Sequence, residues 1–443
     1  MSGHGIGRRG FLLTVTGAAA VASTGIEGIV AAGRAPAYAQ GTKLHWVRWV
    51  DFIPESDVEL KRQMPEASKA LGAEVTLETI NANDLQPRIT AAIQSGSGAD
   101  IFNFQYNWAH LYQNAVVDVS DVANEIAKAE GGLYDVWAPS CNVNGKWLSL
   151  PHSIVGNAVA YRKSWLKEAG ATQYPKTWEE AHKLFTGMKK KGKPYGQTLG
   201  HTFGDAPVFT YTMLWAFGGA ETDKTGKKVV LNGKGAVESV KFMQAFWKDA
   251  CDEGGLAWDD TNNNRAFHAG EISATLNGAS IYIVAKRQKD KLKDDKGEPL
   301  FQDIDHAPLP AGPAGAYLLF LNQSHAVMKY SKNQKLAKDL LRWVHKPDNY
   351  GKWFTTQEGY SVGATKKWEN DPMWGKLDEP LKMFRTAARN TRLFGYAGPS
   401  TAKATEAFTK YIITDMYAKG VQGMKAEDAV KWAEGELKKI YEG

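Results

Sequence analysis

Apolar and polar residues alternate over 74–80, and 44–50 (LHWVRWV) and 99–104 (ADIFNF) are rich in aromatic and β-branched residues; each stretch predicts a strand. Between them lie two helical patterns. Ser56 and Glu59 have the spacing of a capping box for the first, and Pro65 is expected to kink or split it. The second, residues 85–94, is amphipathic and is terminated by Gly96-Ser97-Gly98. This β-α-β-α-β order predicts an α/β fold with a mostly parallel sheet and helices on both faces. Residues 153–161, SIVGNAVAY, are small and β-branched and read as one buried strand. A short helix over 165–169 stops at Gly170. A new one opens at Pro175-Lys176-Thr177-Trp178-Glu179-Glu180, with Thr177 as cap and Glu180 completing a capping box. Such a stretch suits a chain crossing from one αβ layer into another, the first hinge of a two-lobed molecule. Further on, 240–250 and 262–269 are helical, 272–276 is a strand ending at Asn277-Gly278, and 308–315 is turn-rich. Residues 317–328 are extended and offer a second crossing. Residues 335–345 form a helix halted before Pro347, and helical periodicity dominates from 401 onward.

The N-terminus changes the picture. Gly7-Arg8-Arg9-Gly10-Phe11-Leu12-Leu13 followed by a mildly apolar Ala/Gly/Thr-rich run reads as a twin-arginine export signal over residues 1–39, with Ala37-Tyr38-Ala39 at the cleavage position. The run is too short and weakly apolar for a membrane anchor, and no later segment approaches the roughly 18 apolar residues of a span. The expectation is an exported periplasmic protein. Loss of Arg8, Arg9, Arg34 and Glu27 would lower the formal charge from +6 to +4, and Lys189-Lys190-Lys191 reads as a solvated helix end, so nothing resembles a nucleic-acid footprint. An oxidising compartment would permit one disulfide between Cys141 and Cys251.

Catalytic and metal signatures are missing. There is no GxSxG elbow, HExxH, CxxC or Walker loop, and the ten histidines are not grouped at ligand spacing. Asp259-Asp260-Thr261-Asn262-Asn263-Asn264 lacks the spacing and closing Glu of an EF-hand and reads as a polar loop capping a helix. No metal or cofactor is expected. What remains is a set of strand ends finishing in aromatic and polar residues, where ligands of open α/β sheets bind. Trp49, Asp51 and Phe52 follow the first strand; Phe104, Gln105 and Tyr106 follow the third; His152 sits at the proposed hinge and Asn277 ends another strand. Aromatic rings can cover a sugar's apolar face while carboxylates and amides bond its hydroxyls.

At this point the chain resembles the family 1 extracellular solute-binding proteins, the maltose-binding-protein-like receptors of ABC importers. The matching pieces run in order: AIQSGSGADI at 92–101, GKWLSLP at 145–151, PKTWEE at 175–180, WAFGGA at 215–220, AFHAGE at 266–271 with Asn277-Gly278, and AKDLL at 337–341. The resemblance implies the periplasmic binding protein fold, two αβ lobes joined by three crossing segments and closing on a ligand. Residues 41–152 with 324–372 would form one lobe and 153–318 with 375–443 the other. Carried over as ligand-binding candidates are Asp51, Phe104, Gln105, Tyr106, His152, Trp215, Asn277, Gln323 and Tyr360, with Asn322 and Tyr396 as looser matches. Sugar-binding members often carry an aromatic two residues after the Asn-Gly; here Ala279 and Ser280 follow, so either Trp215 or Tyr282 supplies the stacking face or the ligand is no ordinary sugar.

The implied function is a monomeric, non-enzymatic receptor that captures a small polar ligand, a sugar or polyol, and delivers it to an inner-membrane ABC permease. Two other readings remain open. A glycerol phosphoester or other anion would call on Arg48, Lys286 or Arg287. An exported glycoside hydrolase would need two carboxylates, for which Asp51 and Asp205 are available but not singled out.

Overall fold

The computed structural model describes residues 41–443, and the export-signal expectation lies outside them. Ten strands build two sheets: β1 (Lys43–Trp49), β2 (Glu74–Ile80), β3 (Ile101–Gln105), β4 (Leu150–Val155), β5 (Ala158–Arg162), β6 (Tyr195–Gly196), β7 (Ala274–Asn277), β8 (Ile304–Ala307), β9 (Asn322–Val327) and β10 (Ser361–Gly363). The larger sheet has the order β10-β4-β9-β3-β1-β2 and the smaller β8-β5-β7-β6. Both are mixed. In the larger, β2, β1 and β3 are parallel, as their β-α-β-α-β order requires, while β9 runs antiparallel to β3 and to β4. In the smaller, only β6 and β7 are parallel. The mostly parallel expectation therefore holds only for the first three strands. In the larger sheet, β9 arrives from the smaller-sheet half and inserts between β3 and β4, which makes its pairings there antiparallel.

The 153–161 stretch is not one strand. Its first part belongs to β4 in the larger sheet and its second to β5 in the smaller, with Gly156-Asn157 between them. Alternation alone missed the break because both strands are buried on every residue and look continuous. The chain returns from β8 in the smaller sheet to β9 in the larger, through the turn-rich Pro308–Gly315 segment. After β10 it leaves again for the C-terminal helices.

Local chemistry explains most helix ends. Helix α1 (Pro54–Leu71) starts with Pro54 at its first position, so the Ser56/Glu59 capping box does not form: both residues lie inside the helix, and Glu59 pairs with Arg62 at 2.7 Å. The helix also runs unbroken through Pro65. Burial of Leu60, Met64, Ala67 and Leu71 outweighs the lost backbone hydrogen bond, since each large apolar side chain contributes about 1.5–3 kcal/mol. Helix α2 (Ala82–Ser95) ends at Gly96 with φ +66°, where an L-residue would be strained. At α3 (Trp178–Lys189) the expected capping box is present: Thr177 Oγ1 accepts from Glu180 N at 3.2 Å, and Glu180 accepts from Thr177 N. Pro347 does not merely end the preceding helix, Gln334–Val344; it opens the next one at Pro347–Thr356. Cys141 and Cys251 are both fully buried and free, so no disulfide ties the halves. Among the described residues no helix is long and apolar enough to cross a membrane.

Candidate functional site

Four further helices position the site: α4 (Asp205–Ala216), α5 (Lys234–Ala250), α6 (Asn262–His268) and α7 (Ser280–Arg287). Where the two halves face each other, a cavity of about 140 Å³ is lined from the larger-sheet side by residues 50–52 and 81–83, and from the smaller-sheet side by Thr202 and residues 259–261. These segments follow β1 and β2 on one side and precede α4 and α6 on the other. The volume is below the roughly 300 Å³ at which small-molecule pockets begin, because the halves touch directly. Phe203 N donates to Asn83 Oδ1 at 3.3 Å, and the Tyr106 hydroxyl donates to the Phe203 carbonyl. Tyr360, from the β10 side, rests on Gly278 after β7 so closely that a Cβ there would lie 3.0 Å from its ring.

The lining is rich in carboxylates and amides. Asp51 accepts from Ile53 N at 2.9 Å and from Gln357 Nε2 at 3.1 Å; burial raises its pKa, and the nearby Arg48 charge partly offsets this. Asp260 receives Gly204 N at 3.0 Å, Asp205 N at 2.7 Å and the Thr202 hydroxyl, and so satisfies the orphan donors at the start of α4. Burial still pushes its carboxyl upward. Asp205 is held by Asn263 Nδ2 at 2.6 Å and Asn277 Nδ2 at 3.3 Å. Burial first, and the Asp260 charge second, raise it well above the carboxylate range. Asp259 makes the turn that starts α6, accepting from Thr261 N at 2.8 Å, so the polar-loop reading of 259–264 holds at its first residue. Among the described residues, none of Asp51, Asp205 and Asp260 forms a salt bridge. The lining presents hydrogen-bond acceptors, amide donors and the Phe52 ring to one space, with the Tyr360 ring 6.2 Å from that of Phe52.

The sequence-derived candidates fall into distinct groups. Asp51 and Phe52 line the cavity, and Tyr360 and Asn277 stand beside it through Phe52 and Asp205. Trp49 is buried behind Phe52, the two rings edge to face with centroids 5.8 Å apart. Tyr106 crosses between the halves and packs on Phe408 at 4.6 Å. Gln105 and Gln323 are opposed in the β3–β9 register, both buried, and neither Gln323 side-chain polar atom has a partner. Asn322 is internal, donating to Tyr106 O at 3.1 Å and Ser140 Oγ at 2.6 Å. Phe104 packs on Tyr112 and Trp108 in the core. Trp215 is fully buried in α4 against Tyr211, and Tyr396 lies beneath the Arg392 guanidinium, 4.0 Å from ring centre to Cζ. The structure brings none of Phe104, Trp215, Asn322 and Tyr396 to the cavity lining. His152 is likewise internal, its ring tilted by 41° against that of Trp353 with centroids 4.4 Å apart. It lies with His325 and His345, so the histidines that are scattered in the sequence converge in space. Missed by the sequence reading were Asn81 and Asn83, which follow β2 and obey the same strand-end rule as Asp51, and Thr202, whose loop carries no pattern of its own.

Residues 59–351 match the family model described as bacterial extracellular solute-binding protein, well over half of the 443-residue chain. The chain belongs to this family. A probable ABC transporter-binding protein of Deinococcus radiodurans is 26% identical over 259 residues, covering 56% of this chain and 58% of that relative. The maltodextrin-binding protein MdxE of Bacillus subtilis is 25% identical over 68% of this chain and 69% of its own length. The fold of this solute-binding protein is that of the maltose-bound MalE3 of T. maritima, at TM-score 0.75 and 19% identity over 90% of this chain and all of that one. It is equally that of an ABC transporter solute-binding protein from Agrobacterium radiobacter in complex with ribitol, at TM-score 0.74 and 19% identity over 90% of this chain and 99% of that one.

Membership makes the chain a binding protein and not an enzyme, and the Asp51/Asp205 hydrolase pairing falls with it. The three cations available for an anion are otherwise engaged in this solute-binding protein. Arg48 is buried beside Asp57 at 3.8 Å, Lys286 pairs with Asp378, and Arg287 pairs with Glu55 and, at 3.0 Å, with Glu358.

Proposed function

We propose that this solute-binding protein captures a neutral polyhydroxy compound, a sugar or polyol, between its two halves and passes it to an ABC permease in the inner membrane. The lobes are residues 41–155 with 322–372 and 158–319 with 375–443, a shift of a few residues from the 152/153 and 318/324 boundaries expected from the sequence. The mature protein works as a monomer in the periplasm after export by the twin-arginine route. The observation that carries the ligand class is the cavity lining: Asp51, Asp260, Asn81, Asn83 and Thr202 around the Phe52 ring, with no unpaired cation among them. Carboxylates and amides there are matched to hydroxyl groups, and a buried hydroxyl left without a partner costs about 1–3 kcal/mol, which gives such a lining its selectivity. Relatives named for maltodextrin and a structural neighbour holding ribitol support the same class. Ligand contacts to both lobes favour the closed arrangement, so binding shifts the open–closed population.

A thermal-shift screen against sugars, polyols and their phosphates tests this reading, because a ligand that binds the native state alone raises its Tm by mass action. A neutral sugar or polyol raising Tm is the expected result. A response confined to phosphorylated compounds, weakening with salt, would replace it with the anion reading.

A further inference from the structure

His152 on β4, His325 on β9 and His345, which immediately follows helix α8 (Gln334–Val344), come from segments far apart in the chain yet meet beneath the larger sheet. One ring nitrogen from each lies within 4.8 Å of the others. We propose that these three imidazoles form a site for one divalent first-row transition metal ion, zinc being the reference case, separate from the cavity between the halves.

Three observations support it. The His152 Nδ1 to His345 Nε2 distance is 3.2 Å, close to the roughly 3.3 Å edge of a tetrahedron with metal–nitrogen bonds of about 2.0–2.1 Å. Only His325 has to approach for the third bond to form. Second, both nitrogens of His325 and Nε2 of His152 are buried without any hydrogen-bond partner, although buried polar atoms are normally satisfied. Packing alone leaves the one lone pair of a neutral His325 facing nothing, and a metal ion would take it; the proton of His152 would then sit on Nε2, leaving Nδ1 as its ligand atom. Third, His152 and His325 are 0% exposed and His345 5%, so bulk water does not compete for their nitrogens. An all-imidazole donor set selects zinc, copper, nickel or cobalt over magnesium or calcium, which prefer oxygen. The adverse charge is Arg48, which faces the group across the sheet; Asp57, 3.8 Å from its guanidinium, and Asp51 oppose it. Bound metal would join β4, β9 and the end of α8, bracing the sheet just before Gly156-Asn157 carries the chain to the other half.

The test is the metal content of tag-free protein by elemental mass spectrometry, as purified and after unfolding in chelator and refolding with zinc chloride or without metal. The expected result is about one zinc per chain after zinc refolding, a higher Tm than the metal-free refold, and visible d–d absorption when cobalt(II) replaces zinc. His325→Ala and, separately, His345→Gln are expected to lose the bound metal and the cobalt spectrum. Should either variant fail to fold, the wild-type stoichiometry decides alone. Less than about 0.1 equivalent of any transition metal in the refolded wild type overturns the proposal, as does full stoichiometry retained in folded His325→Ala.

Discussion

Arg287 reaches from the end of α7, next to the smaller sheet, to the other half of the molecule. It pairs with Glu55 at the start of α1, and its Nη2 donates to Glu358 Oε1 at 3.0 Å and to the Thr356 carbonyl at 3.1 Å. All three partners belong to the opposite half, so these bonds exist only while the halves are together. Partly exposed ion pairs contribute about 0.2–1 kcal/mol each. With the side chain of Arg287 23% exposed and those of Glu55 and Glu358 51% and 34%, the low half of that range applies to each pair. Together with the carbonyl bond this gives about 1.4 kcal/mol, or a tenfold change in an equilibrium constant. Arg287→Ala should therefore reduce the closed-to-open ratio about tenfold while leaving each half folded. Cysteines replacing the exposed Val58 and Val230 can carry spin labels for pulsed electron-resonance distances, since the native Cys141 and Cys251 are fully buried. The expected result is a longer Val58–Val230 distance population in ligand-free Arg287→Ala than in the wild type, and weaker binding of any compound that raises the wild-type Tm. Superimposable distance distributions would show that Arg287 does not hold the halves together.

Gly278→Val should wedge the halves apart, since its Cβ would meet the Tyr360 ring at 3.0 Å and Gly156 O at 3.1 Å; small-angle scattering should report a larger radius of gyration, and an unchanged curve would refute the wedge. Trp215→Ala should act through packing and not through the ligand, costing about 3–5 kcal/mol in chemical denaturation because the ring is fully buried; a loss under 1 kcal/mol accompanied by weaker ligand binding would return Trp215 to the site. Glu221 is buried with its carboxylate accepting from Tyr211 and Gly395 N, and burial pushes its pKa up to about 8. Because the folded value lies above the unfolded one, its stabilising contribution is full below about pH 4.5 and is lost as pH rises through about 8. Glu221→Gln should flatten the fall of Tm over that window; parallel curves for the two proteins would contradict the assignment.

The sequence made the element types legible where periodicity and caps agree, as at β1, β2 and the Thr177 capping box. It failed where two strands buried on every residue abut across Gly156-Asn157, because the glycine and the one amide at the join are too slight a signal to break an otherwise apolar run. It also missed the Pro65 outcome, because the packing that holds α1 together is tertiary. In the site, Asp51 and Phe52 were readable since they end a recognisable strand. Trp215 was not, because an aromatic in a helix looks the same in a sequence whether it faces a ligand or a core. The three-histidine group was invisible for a related reason. Its members are separated by 173 and 20 positions, and only the antiparallel placement of β9 beside β4 brings them together.

That placement of β9 also bears on biosynthesis. The strand lies between β3 and β4, yet it is translated after the whole of the smaller sheet. Until residue 327 leaves the ribosome, β3 and β4 have no neighbour on their facing sides, and unpaired strand edges invite association with other chains. Nascent chains truncated before that residue should be the form most dependent on chaperones.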